Sequence, residues 1–378
     1  MSEFRQETRA WLAANCPPSM RTPFAGEQDW VWGGRKPKFP SDDARLWLER
    51  MAARGWTAPT WPKTYGGGGL AADEAAILDE ELRALGCREP LKSFGLWMLG
   101  PVLLEFGSEE QRQEHLPKII RGEIRWCQGY SEPEAGSDLA SLQTRAVRDG
   151  EQFIVDGSKI WTSHADVADW MFCLVRTDTG KHAGISFLLI DMTTPGVSVR
   201  PIRLISGASP FCQSFFDQVR VPARNLVGAP GTGWTIAKTL LKHERSLIAH
   251  RRGAATTEEE PLEAMARRYG VDGDPLLRDR ITQANLDSLA YRALVKRSTD
   301  ASLQKLYGTE LNQRRKELRV QLAGFRGLGW DGPGFDGAEL QQTREWLRSR
   351  ANTIEGGTSE IQLNIIARRA LGLGDGRE

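Results

Sequence analysis

The chain has 378 residues and an almost balanced charge, with 50 Lys and Arg against 49 Asp and Glu. This length predicts two or three structural domains, and the balanced charge excludes a nucleic-acid or membrane-surface partner held by bulk electrostatics. The amphipathic start lacks the apolar core of a signal peptide, and no later run has the length of a membrane span, so we expect a cytoplasmic protein. The five cysteines form no CxxC pair, which argues against a disulfide framework or a zinc site.

The hydrophobic pattern divides the chain into three zones, which we predict to be domains spanning residues 1–121, 122–230 and 231–378. The outer zones show helical periodicity, whereas the middle zone has short β-rich runs between Gly, Asp and Asn. This order predicts an α+β multidomain fold class, with helical domains on either side of a central antiparallel β-barrel or sandwich. The predicted strands are Ile124–Tyr130, Gln152–Asp156, Lys159–Thr162, Trp170–Arg176, Gly184–Asp191, Val197–Ile202 and Ser214–Val221.

Helix signals are strong in both outer zones. The clearest is the sequence SEEQ, in which Ser108 is the expected N-cap and Gln111 completes a capping box. The other predicted helices follow from runs of helical apolar spacing bounded by Gly or Pro. They are a first helix marked by Phe4, Thr8, Trp11 and Leu12 and ended by Pro17-Pro18, and then Ala44–Met51, Ala71–Leu85, Leu96–Phe106, Trp234–His250, Pro275–Thr299, Ala301–Arg326, Gly337–Arg350 and Thr358–Leu371.

The predicted helix over Trp234–His250 carries the candidate catalytic group. Ile236, Leu240 and Leu247 give it an apolar face, and Glu244 lies in the interior of that run. A carboxylate inside a dry apolar wall has a raised pKa, which a general base for carbon acids requires. The alternative is that Glu244 is solvated or pairs with a Lys or Arg of its own helix, as most helical glutamates do.

The segment Gly129–Leu142 reads GYSEPEAGSDLASL and follows a predicted strand. Ser131, Gly136 and Ser137 lie close together in it. Such a turn supplies hydroxyls and free backbone N–H groups to an anionic or amide-rich ligand. The alternative is an ordinary polar β-turn.

A second candidate binding element is KIWTSHADVADW, which spans Lys159–Trp170. Trp161 is followed there by two hydroxyl residues, Thr162 and Ser163. An indole beside hydroxyls can stack on a planar heterocycle and hydrogen-bond to it. The alternative is that Trp161 is a core tryptophan.

The third candidate lies near the carboxyl end, where Gly356 and Gly357 precede Thr358, the expected N-cap of the terminal helix. A glycine turn that feeds a helix N-terminus is a site for a phosphate or carboxylate. Taken alone, the segment is equally consistent with a well-capped terminal helix.

Together, these motifs resemble the acyl-CoA dehydrogenase family over nearly the whole chain. The resemblance rests on WPKTYGGGGL, FGSEEQRQEHLPKIIRGEI, SEPEAGSDLASLQT, VDGSKIWTS, FDQVRVPARNLVG followed by GTGW, and GGTSEIQ, in this order. It implies an α-helical domain, a central β domain and a C-terminal four-helix bundle. It also implies an FAD cofactor, an acyl-CoA substrate, assembly as a tetramer, and electron-transfer flavoprotein as the acceptor.

The resemblance further implies a mechanism. In the family, a carboxylate removes the α proton of an acyl thioester while the β hydrogen leaves as hydride to flavin N5, which yields a trans-2-enoyl-CoA. In most members the catalytic Glu directly precedes Gly-Thr-Ser, but that position is Gly356 here, and Glu355 is expected to point elsewhere. A minority of members place the Glu on the first long helix of the C-terminal domain, in a Leu-x-x-Glu-Arg setting. Because Leu241 to Arg245 match that setting, we assign Glu244 as the base.

The remaining site residues transfer by position. Tyr130 and Ser131 match residues that touch the isoalloxazine, and Gly136 lies in the same turn. Trp161 and Ser163 match the pair beside the flavin ring and N5. The other matches are Ser137 near the pyrophosphate and the substrate pantetheine, Thr358 and Glu360 at the dinucleotide, and Arg245 beneath the active site.

One family element is missing. The Arg-x-x-Phe element that reaches a neighbour's FAD is absent between Arg251 and Arg280, and the Gln-x-x-Gly-Gly stretch is replaced around Gly324–Gly334. Comparable gaps occur in bacterial branches that form mixed tetramers of two chains. Three alternatives therefore stay open: a homo-oligomer that completes its own FAD site, a partner subunit of a heteromeric enzyme with little activity alone, and an acyl-CoA oxidase-like flavoprotein.

Overall fold

The computed structural model describes residues 3–24, 26–241, 260–298 and 300–374. Within this range the chain forms two compact units. The first comprises the residues up to 201 together with 211–241, and the second comprises 202–210 together with the residues from 260 onward.

The first unit begins with helices that confirm the predicted pattern. The capping box at the start of the last of them is formed as expected: Gln111 N donates to Ser108 Oγ at 3.2 Å, and Ser108 N donates to Gln111 Oε1 at 3.0 Å. Apolar faces of these helices meet in buried clusters that include Leu12, Trp47 and Leu116. The helices are α1 (Glu3–Asn15), α2 (Asp42–Ala53), α3 (Ala72–Ala84), α4 (Gly100–Phe106) and α5 (Glu109–Ile120).

The helix predicted over Leu96–Phe106 differs from a regular α-helix in its first turn. Residues Gly95–Leu99 form a π-helical turn that runs directly into α4. Gly100 at the junction has to be glycine, because a Cβ there would lie 1.9 Å from the indole of Trp61. Single π-helical turns are frequent at functional sites. Here the turn contains Trp97.

In the described part of the chain, eight strands form one sheet in the order β6-β7-β3-β2-β4-β5-β8, with β1 beside β4. The sheet is mainly antiparallel, as predicted, but β1 and β2 each pair with β4 in parallel. The strands are β1 (Trp126–Gly129), β2 (Arg145–Asp149), β3 (Gln152–Ser163), β4 (Trp170–Arg176), β5 (Ile185–Asp191), β6 (Val197–Ile202), β7 (Phe211–Pro222) and β8 (Leu226–Val227).

The prediction of two separate strands over 152–162 is wrong, because β3 is continuous. Asp156 and Gly157 carry a turn signal, but the pairing of β3 with β7 accommodates them in a register shift between Val155 and Gly157. Gly157 has a φ of +140°, and a Cβ there would lie 2.7 Å from the backbone of Thr144. The glycine therefore serves close packing inside the strand. Strands β2 and β8 were not predicted.

Helix α6 occupies residues 233–241, up to the last described residue of that segment. The second unit contains the remaining helices, in which α9 packs against α7, α8, α10 and α11. Asp274, Asp300 and Asp336 cap three of them with their carboxylates. The helices are α7 (Leu262–Arg268), which was not predicted, and α8 (Pro275–Arg297), α9 (Ala301–Ala323), α10 (Gly337–Ser349) and α11 (Ser359–Ile365), which confirm the predicted ones. The helix predicted up to Leu371 differs at its end, because α11 passes at Ile366 into a π-helical turn over Ile366–Ala370.

A buried histidine joins α5 to the sheet. The ring of His115 lies edge-on to Trp126 and Trp170, with centroids 5.2 Å from each. Burial, with a smaller contribution from the charge of Lys118, lowers the pKa of His115 to about 4. The folded chain therefore holds this ring neutral at pH values where the unfolded chain protonates it.

We expect His115 to destabilise the fold as the pH falls. Its contribution is complete above the unfolded pKa of about 6.5 and is lost on acidification toward the folded pKa, because only the unfolded state gains the proton. Between about pH 7.5 and about pH 5 this loss amounts to about 2 kcal/mol. Urea unfolding at both pH values should show a smaller loss for His115→Gln than for the wild type. Equal losses would contradict the assignment.

Candidate functional site

A buried ion pair holds the SEPEAGSD loop against strand β3. Lys159 is fully buried, and its Nζ donates to Glu132 Oε1 at 2.7 Å and to the carbonyl of Tyr130 at 3.1 Å. The backbone amide of Ile160 donates to the carbonyl of Ser131 at 2.8 Å. These bonds fix Tyr130 and Ser131, both predicted site residues, beside the end of β3.

The electrostatics of this pair are those of a structural anchor. Burial alone would raise the pKa of Glu132, but the charge and hydrogen bond of Lys159 and the amides of Gln143 and Thr144 outweigh it, so the pKa lies below its usual range. Those amides donate to the carboxylate at 2.6 Å and 2.9 Å. Glu132 is thus held ionised with its oxygens occupied, and we assign it no proton-transfer role.

Trp161 projects from an irregularity in β3. The register with β7 shifts between Lys159 and Thr162, and Trp161 has a φ of +61°, which is unusual for a bulky residue. A bulge of this kind redirects a side chain, and here it leaves Trp161 54% exposed with its ring edge-on to Phe211. The alternative of a core tryptophan is therefore wrong. Ser163 ends the strand and is half-buried.

The loop beyond Ser131 presents an open turn. Gly136 and Ser137 are exposed, and a Cβ placed on Gly136 would meet nothing within 4 Å. The Tyr130 ring is buried against Phe172 and Phe187, so the phenol body belongs to the core. Tyr130 can therefore serve a ligand through its backbone, and Ser131 can do so through its hydroxyl.

In the second unit, the glycine turn feeds α11 as predicted. Thr358 is the N-cap, and its Oγ1 accepts from Ile361 N at 3.2 Å. Gly356 and Gly357 have φ values of +64° and +91°, which are typical of glycine. Glu360 is exposed in the first turn, where hydrogen bonds from its own backbone and from Thr358 lower its pKa.

Lys305 on α9 supports this turn and was not predicted. Its buried Nζ donates to the carbonyl of Gly357 at 2.6 Å and to that of Asn352 at 3.2 Å. Glu355 points into a separate network, where its carboxylate accepts from Arg348 at 2.7 Å and from Asn352 at 2.6 Å. Glu355 is therefore held as an ion-pair partner, in agreement with the expectation that it points elsewhere.

The candidate base, Glu244, and the neighbouring Arg245 lie outside the described residues. The preceding part of the helix is described, and there Ile236, Ala237 and Leu240 are fully buried. The predicted apolar face of this helix is thus confirmed up to residue 241.

Together, the exposed indole at the bulge and the hydroxyls of Ser131 and Ser163 can stack on and hydrogen-bond to a planar heterocycle. Family models match the chain in three parts: the acyl-CoA dehydrogenase N-terminal domain at residues 2–123, the middle domain at 127–219 and the C-terminal domain at 231–371. The chain therefore belongs to the acyl-CoA dehydrogenase family. The family is flavin-dependent, and the chain is accordingly an oxidoreductase of lipid catabolism.

Relatives with known names are similar over almost the full length. Acyl-CoA dehydrogenase IpdE1 of Mycobacterium tuberculosis is 37% identical, over 99% of this chain and 98% of its own. The solved Tcur3481-Tcur3483 steroid ACAD is 32% identical with a TM-score of 0.76, covering 98% of this chain and 97% of its own. The ChsE4-ChsE5 complex of Mycobacterium tuberculosis is 28% identical with a TM-score of 0.70, covering 99% and 97%.

The helices also bear on membrane insertion. In the residues that the structure describes, none combines the length and the apolar character needed to cross a bilayer.

Proposed function

We propose that this chain catalyses the FAD-dependent α,β-dehydrogenation of an acyl-CoA thioester to a trans-2-enoyl-CoA. The observation that carries the proposal is the redirected Trp161–Ser163 strand end, which the buried Lys159–Glu132 pair holds beside the Tyr130–Ser131 backbone. FAD, when bound, supplies the acceptor for the β hydrogen. The chain itself positions the cofactor and substrate and removes the α proton.

The residues present fit a flavin. The exposed face of Trp161 offers a stacking surface, and the Ser131 and Ser163 hydroxyls offer hydrogen bonds to the edge of a heterocycle. The open space above Gly136 admits close approach of a ligand to the backbone, and Ser137 lies next to it. In the second unit, we assign Thr358 and Glu360 to the dinucleotide part of FAD.

We assign Glu244 as the base because Leu241 to Arg245 match the Leu-x-x-Glu-Arg setting in which a minority of the family carries it. Glu355 is occupied by Arg348 and Asn352, and Gly356 has no side chain. The described part of α6 carries the fully buried residues Ile236, Ala237 and Leu240, which supports a dry setting for this helix, and burial would raise the pKa of a carboxylate there toward the working pH. Arg245 is assigned an ion-pair role in the same setting, beneath the substrate.

A second candidate role is that of one subunit in a heteromeric dehydrogenase. It is favoured by the missing cross-subunit element and by the solved complexes of two named chains among the similar structures. The name steroid ACAD of one of them supports a bulky, ring-bearing acyl group for this chain as well. In either role, we propose that the chain consists of the three predicted domains. We also propose that electron-transfer flavoprotein accepts the electrons.

The visible absorption spectrum of the chain purified alone tests the proposal. A complete site should show flavin bands at about one FAD per chain, which an acyl-CoA substrate then bleaches without oxygen. Slow reoxidation in air would separate a dehydrogenase from an oxidase. A colourless chain that takes up FAD only with a second family member would establish the heteromeric role. Absence of flavin in every combination would refute the proposal.

A further inference from the structure

Four half-buried rings form a continuous surface in the first unit, which we call the aromatic wall: Trp32, Phe94, Trp97 and His164. Trp32 lies at its centre, with ring centroids 4.8 Å from His164, 5.7 Å from Phe94 and 6.4 Å from Trp97. Phe94 and Trp97 also meet edge-to-face at 6.1 Å. Since none of the four is fully buried, the wall keeps aromatic surface available to a ligand.

The wall adjoins the proposed flavin-binding strand. His164 directly follows Ser163 and has a φ of +55°, a strained conformation for a side chain of this size. On the other side, Trp97 belongs to the π-helical turn Gly95–Leu99. His164 and Trp97 therefore both come from irregular backbone segments, and both rings belong to the aromatic wall. His164 also directly follows Ser163, which we assign to the flavin ring.

A guanidinium lies against the wall without a hydrogen-bonded partner. Arg125 stacks over Trp32, with its Cζ 4.6 Å from the ring centroid. Within the described residues, no hydrogen bond or ion pair within 4 Å reaches its side chain, although Asp166 and Asp169 act on it electrostatically. Burial lowers the pKa of Arg125, an effect that those two carboxylates oppose. Arginine stays protonated in proteins, so its N–H donors remain available.

A second cation near the wall, Lys92, already has a carboxylate partner. Lys92 lies 5.7 Å from the Trp97 ring centroid and 5.5 Å from that of Trp30, but its Nζ donates to Glu89 at 2.5 Å. The difference matters because the Arg125 donors are not engaged by a protein acceptor in the described part of the chain and can therefore be given to a ligand. We therefore expect an acceptor on a ligand at the wall to take its hydrogen bonds from Arg125.

We propose that the aromatic wall and Arg125 bind the end of the acyl group remote from the thioester, and that this end is a ring bearing an oxygen acceptor, either a ketone or a carboxylate. The inference rests on the proposed function and adds a specificity-determining residue to it. The flat rings match a rigid alicyclic or aromatic group, and the planar guanidinium donates to the oxygen. A straight hydrocarbon chain would leave those donors unpaired.

The test uses three thioesters that differ at one ring position: 3-cyclohexylpropanoyl-CoA, its 4-oxo derivative and its 4-carboxy derivative. The wild-type FAD-bound enzyme is expected to prefer one oxygenated ester over the hydrocarbon ester. Arg125→Met should lower that preference, measured as a ratio of kcat/KM values, by roughly 10-fold to 100-fold, as for a lost hydrogen bond to a charged group. Whichever ester shows the drop identifies ketone or carboxylate.

The matched control is Arg35→Met. Arg35 also lies over a tryptophan, Trp170, but its guanidinium is paired with Asp191 at 2.6 Å, so its loss should leave the preference unchanged. Calorimetric titration with the same esters measures their binding affinities even if none of them is oxidised. A failure of this inference can therefore be distinguished from a failure of the proposed function. Equal preference in wild type and Arg125→Met, with native FAD content and melting temperature, would overturn it.

Discussion

Replacement of Glu244 by Gln is expected to abolish turnover while the flavin remains bound. Glutamine keeps the size of the side chain but cannot accept the α proton, and a positioned general base contributes roughly 100-fold to 10,000-fold to the rate. The loss should appear in the chemical step, as slower bleaching of the flavin by acyl-CoA in stopped-flow measurements. Acyl-CoA binding should change much less, because the variant keeps the shape of the site.

The matched control for this substitution is Glu355→Gln, which changes the carboxylate nearest in sequence to the usual family position. Because Glu355 is engaged by Arg348 and Asn352, its replacement should affect stability more than the bleaching rate. The assignment of Glu244 fails if Glu244→Gln bleaches at a near-normal rate. A large loss of bleaching rate in Glu355→Gln, with FAD retained, would transfer the role of base to that residue.

Of the substitutions proposed for this chain, Lys159→Met should cause the largest decrease in the free energy of unfolding. It leaves the Glu132 carboxylate buried without its counter-ion, and breaking a buried pair from one side costs about 3–5 kcal/mol. The same change frees the carbonyl of Tyr130, so weaker FAD retention should accompany the loss. Urea unfolding followed by tryptophan fluorescence, with FAD content measured in parallel, checks both effects.

The matched control is Lys181→Met. Lys181 pairs with Asp138, another carboxylate of the same loop. Lys181 lies 3.7 Å from Asp138, and both side chains are 66% exposed, so the cost should stay below about 1 kcal/mol. The double variant Glu132→Gln/Lys159→Met should recover part of the stability, because no uncompensated charge is left inside. If Lys159→Met and Lys181→Met lower the free energy of unfolding equally, the Lys159–Glu132 ion pair does not anchor the loop.

Local sequence rules predicted the elements whose causes are local. The helical ranges follow from apolar spacing, and the capping box at Ser108 needs only residues three apart. The same holds for Thr358, which caps α11 from the glycine turn before it. The order of the three zones and the family motifs could likewise be predicted, because they are properties of the linear sequence.

The continuity and direction of β3 depended on tertiary structure. The pair Asp156-Gly157 carries a turn signal, but pairing with β7 turns it into a bulge inside one strand. The second irregularity turns Trp161 outward while Lys159, two residues earlier, is buried. Simple alternation would have placed these two side chains on one face, so their separation could not be read from spacing.

What the sequence determined by itself was therefore the class of fold, the family and the candidate residues, because helical period, caps and motifs act over a few positions. What only the tertiary structure decided was which side chains meet. Lys159 and Glu132 are 27 residues apart, Lys305 reaches a turn about 50 residues away, and Arg125 stacks on Trp32 from another element. Such pairs depend on packing between distant elements, and their charges acquire meaning only once burial removes them from water.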